Sequence, residues 1–316
     1  MDLRRLRLLD EFARRGRIAA VAEALAYSPS SVSVQLAELE REAGTKLLRR
    51  VGRNLELTPA GWRLAEHAAE ALAADEAVLS ELTSLSDAPR GRVRMTFVQT
   101  PALALLPLAL EQLNAAAPNL QVEVVQMETA PAVEALRSRA VDLVVGIEYE
   151  PVPVSRHRDI DRRDLLRESV LLTVHPKHPG AAGAATISLS DVEHTPWAAG
   201  HRGTGLSAVI ENVCNRLGGY APDIRHRSDD GLILSALVAS GRAVTLLPAL
   251  LARTMPHVVA RPIREGPLQR TIFTAARAVS ADAPAVTAVR DALGTAAAVA
   301  ATDRDDVEVL PAGAHG

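Results

Sequence analysis

Ser28-Pro29 is followed by Val32, Leu36 and Leu39 at steps of four and three. That spacing puts three apolar side chains on one face of a helix that a serine caps and a proline starts. The opposite face carries Ser30, Ser31, Ser33, Val34, Gln35 and Glu38, with no charge before Glu38. A solvated helix face ordinarily carries charge. A short face of hydroxyls and one amide suits a DNA major groove instead: it does not repel phosphates, and its groups donate to phosphate or read base edges. The preceding residues supply the rest of the motif. Leu3, Leu6, Leu9 and Phe12 make one apolar helix face that Gly16 ends, and residues 18–26 form a short helix with Val21, Ala22 and Leu25 inward. Two short helices joined by a tight turn, the second bearing such a face, form a helix-turn-helix.

Beyond Gly44, Leu55 and Leu57 alternate with polar residues, and Gly52 with Asn54 supplies turn chemistry. The expectation is a small hairpin, a wing, with Arg49, Arg50 and Arg53 near its tip, suited to the DNA backbone or minor groove. A solvated basic loop is the plainer alternative. The candidate DNA contacts are Ser28, Ser30, Ser31, Ser33, Val34, Gln35, Arg49, Arg50 and Arg53, within a DNA-binding domain of residues 1–60. Those 60 residues hold 11 Lys and Arg against 8 Asp and Glu, while the remaining 256 hold 24 against 30. A basic head on an acidic body agrees with this division.

Residues 1–72 resemble the LysR-type transcriptional regulators. The pieces that carry the resemblance are Met1-Asp2-Leu3-Arg4-Arg5-Leu6, Ala22-Glu23-Ala24-Leu25, Ser28 through Leu36, Leu39 through Gly44, Leu47-Leu48-Arg49-Arg50 and Leu57-Thr58-Pro59-Ala60-Gly61, in order and spacing. The resemblance implies a linker helix and a periplasmic-binding-protein-like effector domain in the rest of the chain. Three positions depart from it. Val34 stands where the family has an Arg, which removes one phosphate or base contact; Arg17 stands where the second helix has a Ser or Thr cap; Leu48 stands where Phe is common.

Thr58-Pro59 starts an Ala-rich helix running to about residue 85. Leu64, Ala68, Ala71, Val78, Leu82 and Leu85 follow a 3.5-residue period, with Asp75 in the one polar slot. This reads as a two-helix seam, or else as a helix packed on its own domain. The resemblance favours the seam, because such regulators pair through this helix. Residues 84–91 read as a hinge, so 61–90 form the linker.

From residue 91 the pattern changes to alternating strands and helices. Strands are expected at 93–97, 120–125 and 142–147, with helices at 101–117 and 130–139, giving a mostly parallel covered sheet. A second lobe is expected from 165 to 266, opening with the apolar strand 169–174, and residues 267–300 return to the first lobe. The fold class is therefore multidomain α/β: a winged helix-turn-helix, a long linker helix and a two-lobed effector domain over 91–300. Ligands sit at the carboxyl ends of such strands. The candidate effector residues are Gln99, Thr100 and Pro101 at one helix N-terminus, Glu128 and Thr129, Gly146 and Ile147, then Gly200, His201, Arg202 and Thr204 in a Gly-rich turn, and Thr245. Arg202 is the candidate carboxylate clamp, with an ordinary surface-loop residue as the alternative, and helix capping is the plainer role for Gln99 and Thr100. The resemblance places the family's effector site at these strand ends too.

The single cysteine, Cys214, cannot form an internal disulfide, and the charged N-terminus is no signal peptide, so a cytoplasmic protein is expected. No apolar run is long enough to span a membrane. His175 and His178 lack acidic or cysteine neighbours, so no metal or cofactor is expected. No nucleophile elbow, phosphate loop or HExxH is present, so an enzyme is the rival without a catalytic constellation. A regulator that has lost its ligand is a further alternative. Residues 301–316 read as a disordered tail. The expected partners are double-stranded promoter DNA, a small-molecule effector, a second or fourth copy of the chain, and RNA polymerase.

Overall fold

The computed structural model describes residues 1–52, 54–84, 89–182 and 185–311. Three helices open the chain: α1 (Leu3–Arg15), α2 (Ile18–Leu25) and α3 (Pro29–Ala43). Leu6, Leu9 and Phe12 of α1 meet Val21 of α2 and Val32, Leu36 and Leu39 of α3 in one core, each at most 3% exposed. Burying each of these larger side chains contributes roughly 1.5–3 kcal/mol. The Ser28 hydroxyl accepts from Ser31 N–H at 3.1 Å, the N-cap that holds the start of α3. Gly44, at φ 65°, closes α3 in the left-handed region. Strands β1 (Leu48–Val51) and β2 (Asn54–Leu57) form an antiparallel hairpin. Arg17 makes no side-chain cap on α2.

The linker helix α4 (Pro59–Ser84) begins where the Thr58 hydroxyl accepts from Gly61 N–H at 3.0 Å. A Cβ at Gly61 would strike the Leu47 carbonyl, so only glycine lets α4 lie this close to the hairpin. The structure divides the expected seam. Leu64, Ala68 and Ala71 are packed into the head's own core, with Ala68 fully buried, because α4 lies along α1. Val78 and Leu82 remain 53% and 57% exposed, joined by Leu79. The apolar stripe open to a second helix is thus the lower half of α4 alone. Residues 85–88 of the expected seam and hinge lie outside the described residues.

The larger domain contains β3 (Gly91–Phe97), α5 (Gln99–Ala116), β4 (Leu120–Gln126), α6 (Thr129–Arg137), β5 (Leu143–Tyr149), β6 (Ile160–Val174), β7 (Trp197–Ala199), α7 (Gly205–Val213), β8 (Ile224–Arg227), α8 (Gly231–Ala239), β9 (Thr245–Pro248), α9 (Ala249–Ala252), β10 (Val259–Arg261), β11 (Gln269–Arg277), α10 (Pro284–Ala300) and β12 (Val307–Val309). Strand β3 is parallel to β4 and β5, but β11 runs antiparallel to β5 and β6. The first lobe's sheet is therefore mixed rather than mostly parallel, because the chain returns to it from the second lobe.

Strand β6 starts at Ile160, well before the apolar run that was expected to open the second lobe. Its first part pairs with β11; from Val170 it pairs with β9 and β10 in the second lobe. Asp161, Arg162, Arg163 and Asp164 look like a loop in sequence, yet they sit in this strand because their charges are paired: Arg162 bonds Asp164 and Glu148, each at 2.7 Å. The expected disordered tail is also corrected. Val307–Val309 adds an antiparallel strand beside β6, and Asp306 is anchored by Arg253 and Arg304. Residues 312–316 lie outside the described residues.

Candidate DNA-binding face and effector cleft

The outer face of α3 is open to solvent. Ser30, Ser33 and Val34 are exposed, Val34 at 60%. Two of its polar groups are already engaged locally. The Ser33 hydroxyl donates to Pro29 C=O at 3.0 Å, and Gln35 Oε1 accepts from Arg5 Nε at 3.0 Å. Gln35 is therefore turned toward α1, with its amide NH₂ left as donor. Arg49 and Arg50 are exposed on β1, beside α3 in sequence and fold; Arg49 faces Glu56 at 3.3 Å across the hairpin. Arg50 has no acidic partner among the described residues, and Arg53 lies outside them.

In the larger domain, two cavities meet between the lobes. The outer one, about 700 Å³, lies between the start of α6, the loop following β5 and the turn before α7. Glu128, Thr129, Ile147, Arg202 and Thr204 line it, together with Tyr149. The inner one is only about 40 Å³ and is lined by Gln99, Thr100, Tyr149, Asp229, Gly231 and Arg270. It is small because the protein's own side chains fill it. Gln99 Oε1, from the first lobe, accepts from Gly231 N–H at the start of α8 in the second lobe, at 2.7 Å. That is the position an anionic ligand group takes at a helix N-terminus. Beneath it, Arg270 donates to Thr100 Oγ1 at 2.6 Å and to Glu168 at 2.9 Å.

The turn before α7 is shaped by Gly200, where a Cβ would lie 2.9 Å from Asp229 Oδ1 and strike Thr204 Oγ1. His201 donates its backbone N–H to Asp229 at 2.9 Å and sets its ring nitrogen 2.7 Å from the other carboxylate oxygen. Thr204 Oγ1 donates to His201 C=O at 2.8 Å. Arg202 is left exposed at the mouth of the outer cavity with no carboxylate partner among the described residues. Burial holds the Glu128 carboxyl above the usual carboxylate range, and the neighbouring Asp229 charge adds to the shift, against Arg270. Burial likewise raises the Tyr149 phenol.

Five expected cleft residues do not line it: Gly200 is buried and His201 is turned to Asp229, and three more lie beneath its surface. Pro101 is buried on α5, Gly146 is packed against the Phe273 ring, and Thr245 is fully buried, donating to Ala198 C=O at 2.7 Å. Thr129 reaches the cavity, but its hydroxyl also ties α6 to both backbone groups of Ile147. Sequence reasoning missed Tyr149, Asp229 and Arg270. For Arg270 a signal existed: a lone arginine in an otherwise strand-forming run must be paired when buried. Cys214 is fully buried and its thiol is pushed up to about 11 by burial, so it is packing.

A winged helix-turn-helix joined by one long helix to a two-lobed cleft domain defines a DNA-binding regulator with a sensing module. Residues 3–62 match the family described as "Bacterial regulatory helix-turn-helix protein, lysR family", and residues 86–298 match "LysR substrate binding domain". The transcriptional dual regulator GltC of Bacillus subtilis (strain 168) is 30% identical over 274 residues, covering 86% of this chain and 89% of that one. The probable HTH-type transcriptional regulator LrrA of Synechococcus elongatus is 28% identical, covering 93% and 96%. The solved structure of a Corynebacterium glutamicum OxyR mutant, bound to H2O2, superposes with TM-score 0.57 at 25% identity over 95% of each chain. Full-length CbnR complexed with its target DNA has the same fold, with TM-score 0.51 at 24% identity over 94% of this chain and 99% of that one. The chain belongs to the LysR family of transcriptional regulators, with a helix-turn-helix DNA-binding domain and an effector-binding domain. Among the described residues no helix is long and apolar enough to cross a membrane, and no cluster of three or more His, Cys, Asp or Glu can hold a metal ion.

Proposed function

We propose that this regulator acts in the cytoplasm, not as an enzyme, and binds an interrupted palindrome in double-stranded promoter DNA as a homodimer or homotetramer. Helix α3 enters the major groove with Ser28, Ser30, Ser31, Ser33, Val34 and Gln35. Arg49, Arg50 and Arg53 of the wing follow the backbone or minor groove. The reading rests on one observation: an exposed, hydroxyl-bearing α3 face stands beside exposed wing arginines. The lower α4 stripe supplies the surface for a second copy, and two-fold symmetry reads two half-sites.

A small organic acid occupies the outer cavity, its carboxylate held by Arg202 and the backbone N–H groups of the turn leading into α7, its body against Ile147, Tyr149 and Val152. It shifts the lobes, and with them the heads and their contact with RNA polymerase, only insofar as it binds the two arrangements unequally. The test is binding to DNA upstream of the regulator's own gene at two salt concentrations. Affinity is expected to fall linearly in log–log form with salt; absent or salt-independent binding defeats the proposal.

A further inference from the structure

A crevice of about 560 Å³ lies where the head, the linker helix and the larger domain meet, remote from both the α3 face and the lobe cleft. Seven arginines line it against three acids, Asp75, Glu76 and Asp142, an excess of four positive charges. Two of the acids are already committed. Glu76 accepts from Arg277 at 2.6 Å and from Arg139 at 3.2 Å, and Asp142 accepts from Arg277 at 3.2 Å and lies 3.5 Å from Arg94. Arg4 and Arg7 on α1, and Arg90 just before β3, have no carboxylate within ion-pair distance among the described residues. Among the described residues Arg92 pairs only with Glu123, at 3.4 Å.

Arg7 carries the strain of this arrangement. Its Nη2 donates to Ser138 C=O, but its Nε is buried without any partner. Desolvation holds its pKa below the ordinary guanidinium value, with Arg139 and Arg94 pressing the same way against Glu11. Clustered guanidinium groups around a concave surface focus positive potential and match phosphate oxygens in geometry. The rest of the wall holds Ser80 and Ser280 and an apolar part that includes Leu3, Leu72, Leu79 and Val93.

We propose that this junction is a second ligand site, which takes a small molecule bearing a di- or polyphosphate. Arg4 and Arg7 of the head and Arg90 and Arg92 of the larger domain grip the phosphates from two sides. The bound anion thereby pins α1 to the entry of β3 and fixes how the head sits on the body. The site is independent of the effector cleft, and its test does not depend on that reading.

The competing occupant is a second copy of the chain, since α4 carries five acids against one arginine. The experiment therefore measures both. Inorganic pyrophosphate is titrated into the full-length protein by calorimetry in phosphate-free buffer at fixed ionic strength, and the oligomeric state is followed by light scattering. Saturable binding is expected, weakened at least tenfold in Arg90→Gln and in Arg7→Gln and unchanged in Arg242→Gln, an exposed arginine of the second lobe. Arg90 is itself exposed, so Arg90→Gln gives a folded variant even where Arg7→Gln does not. Absent binding, equal weakening in Arg242→Gln, an equal heat from sulfate, or loss of dimer in the arginine variants without any pyrophosphate effect each overturns the proposal.

Discussion

Arg270 and Glu168 face each other on neighbouring antiparallel strands at the point where β6 leaves the first lobe for the second. Their guanidinium and carboxylate lie 2.8 Å apart, 2% and 0% exposed. Both partners make further hydrogen bonds: Glu168 also accepts from Leu250 N–H at 2.8 Å, and Arg270 also reaches Thr100. Burial works to lower the Arg270 pKa, but Glu168 and Tyr149 outweigh it and keep the arginine charged. One ion pair thus joins α5, α9, β6 and β11 under the floor of the cleft.

Removing one member leaves the other charge buried and unpaired. Arg270→Met and Glu168→Gln are each expected to destabilise the larger domain by about 3–5 kcal/mol, whereas the double variant Arg270→Met with Glu168→Leu recovers much of that loss. Urea unfolding followed through Trp197, which is fully buried in the second lobe, measures this in a Trp62→Phe background. A double variant no more stable than either single one contradicts the account.

Val34 is the exposed position on α3 at which the family resemblance implies an arginine. Val34→Arg is expected to steepen the salt dependence of DNA binding by about one unit of slope and to tighten binding at low salt. Arg50→Ala is expected to reduce the slope by about one, weakening all sequences alike. Fluorescence anisotropy across a salt series reads both. Unchanged slopes in the two variants remove α3 and the wing from the interface.

The sequence is most informative where a single face is apolar and its cover lies nearby in the chain. Val32, Leu36 and Leu39 are readable for that reason, and so are the strands holding Val93, Met95 and Phe97. Periodicity says which side of α4 is apolar, but not what covers it; Ala68 and Val78 share one stripe and meet different surroundings. In β6, charges at 161–164 hide a strand, because their neutralising partners Glu148, Asp282 and Arg290 are remote in sequence. The cleft shows the same limit. Strand ends mark where it lies, but Arg270 and Asp229 enter it through pairings that only the fold brings together.

Glu128 gives a test through pH. Burial and Asp229 raise its folded-state pKa above the unfolded value, so the folded state binds the proton more tightly. Its contribution to stability is present at low pH and is lost as pH rises through the folded pKa. Glu128→Gln, which stays neutral, is expected to melt higher than the parent at about pH 7, with the difference vanishing toward about pH 4. Calorimetric melting temperatures at the two values check the sign; a variant that melts lower at neutral pH contradicts it.

Val78, Leu79 and Leu82 are each more than half exposed on one protomer. Leu79→Glu with Leu82→Glu places charge in the stripe without touching the head core. The variant is expected to be a folded monomer at concentrations of about 10 µM, where the parent is expected to be dimeric or tetrameric, and to lose at least tenfold in DNA affinity because half-sites are then bound singly. Light scattering coupled to size exclusion decides the first point. A variant with the parent's mass places the interface elsewhere.

Strand β12 straps the crossing strand. Val307, Glu308 and Val309 pair with Glu168, Arg167 and Leu166, and Ser169 N–H donates to Asp306 C=O at 2.9 Å. Asp306 is held by Arg253 of the second lobe at 2.5 Å, and Arg304 donates to Ala249 C=O at 2.7 Å, so the strap touches both lobes beside the ion pair under the cleft. Several groups, among them Arg253, Arg167 and Ser169 N–H, would lose their partners on truncation, but the core strands β5, β11 and β9 keep theirs. Ending the chain after Asp303 is therefore expected to leave a folded protein in which the Ser169 amide exchanges at least tenfold faster, while the amides of β5 exchange as before. Hydrogen exchange read by NMR or mass spectrometry separates this from global loss of stability, which would speed β5 and β6 together.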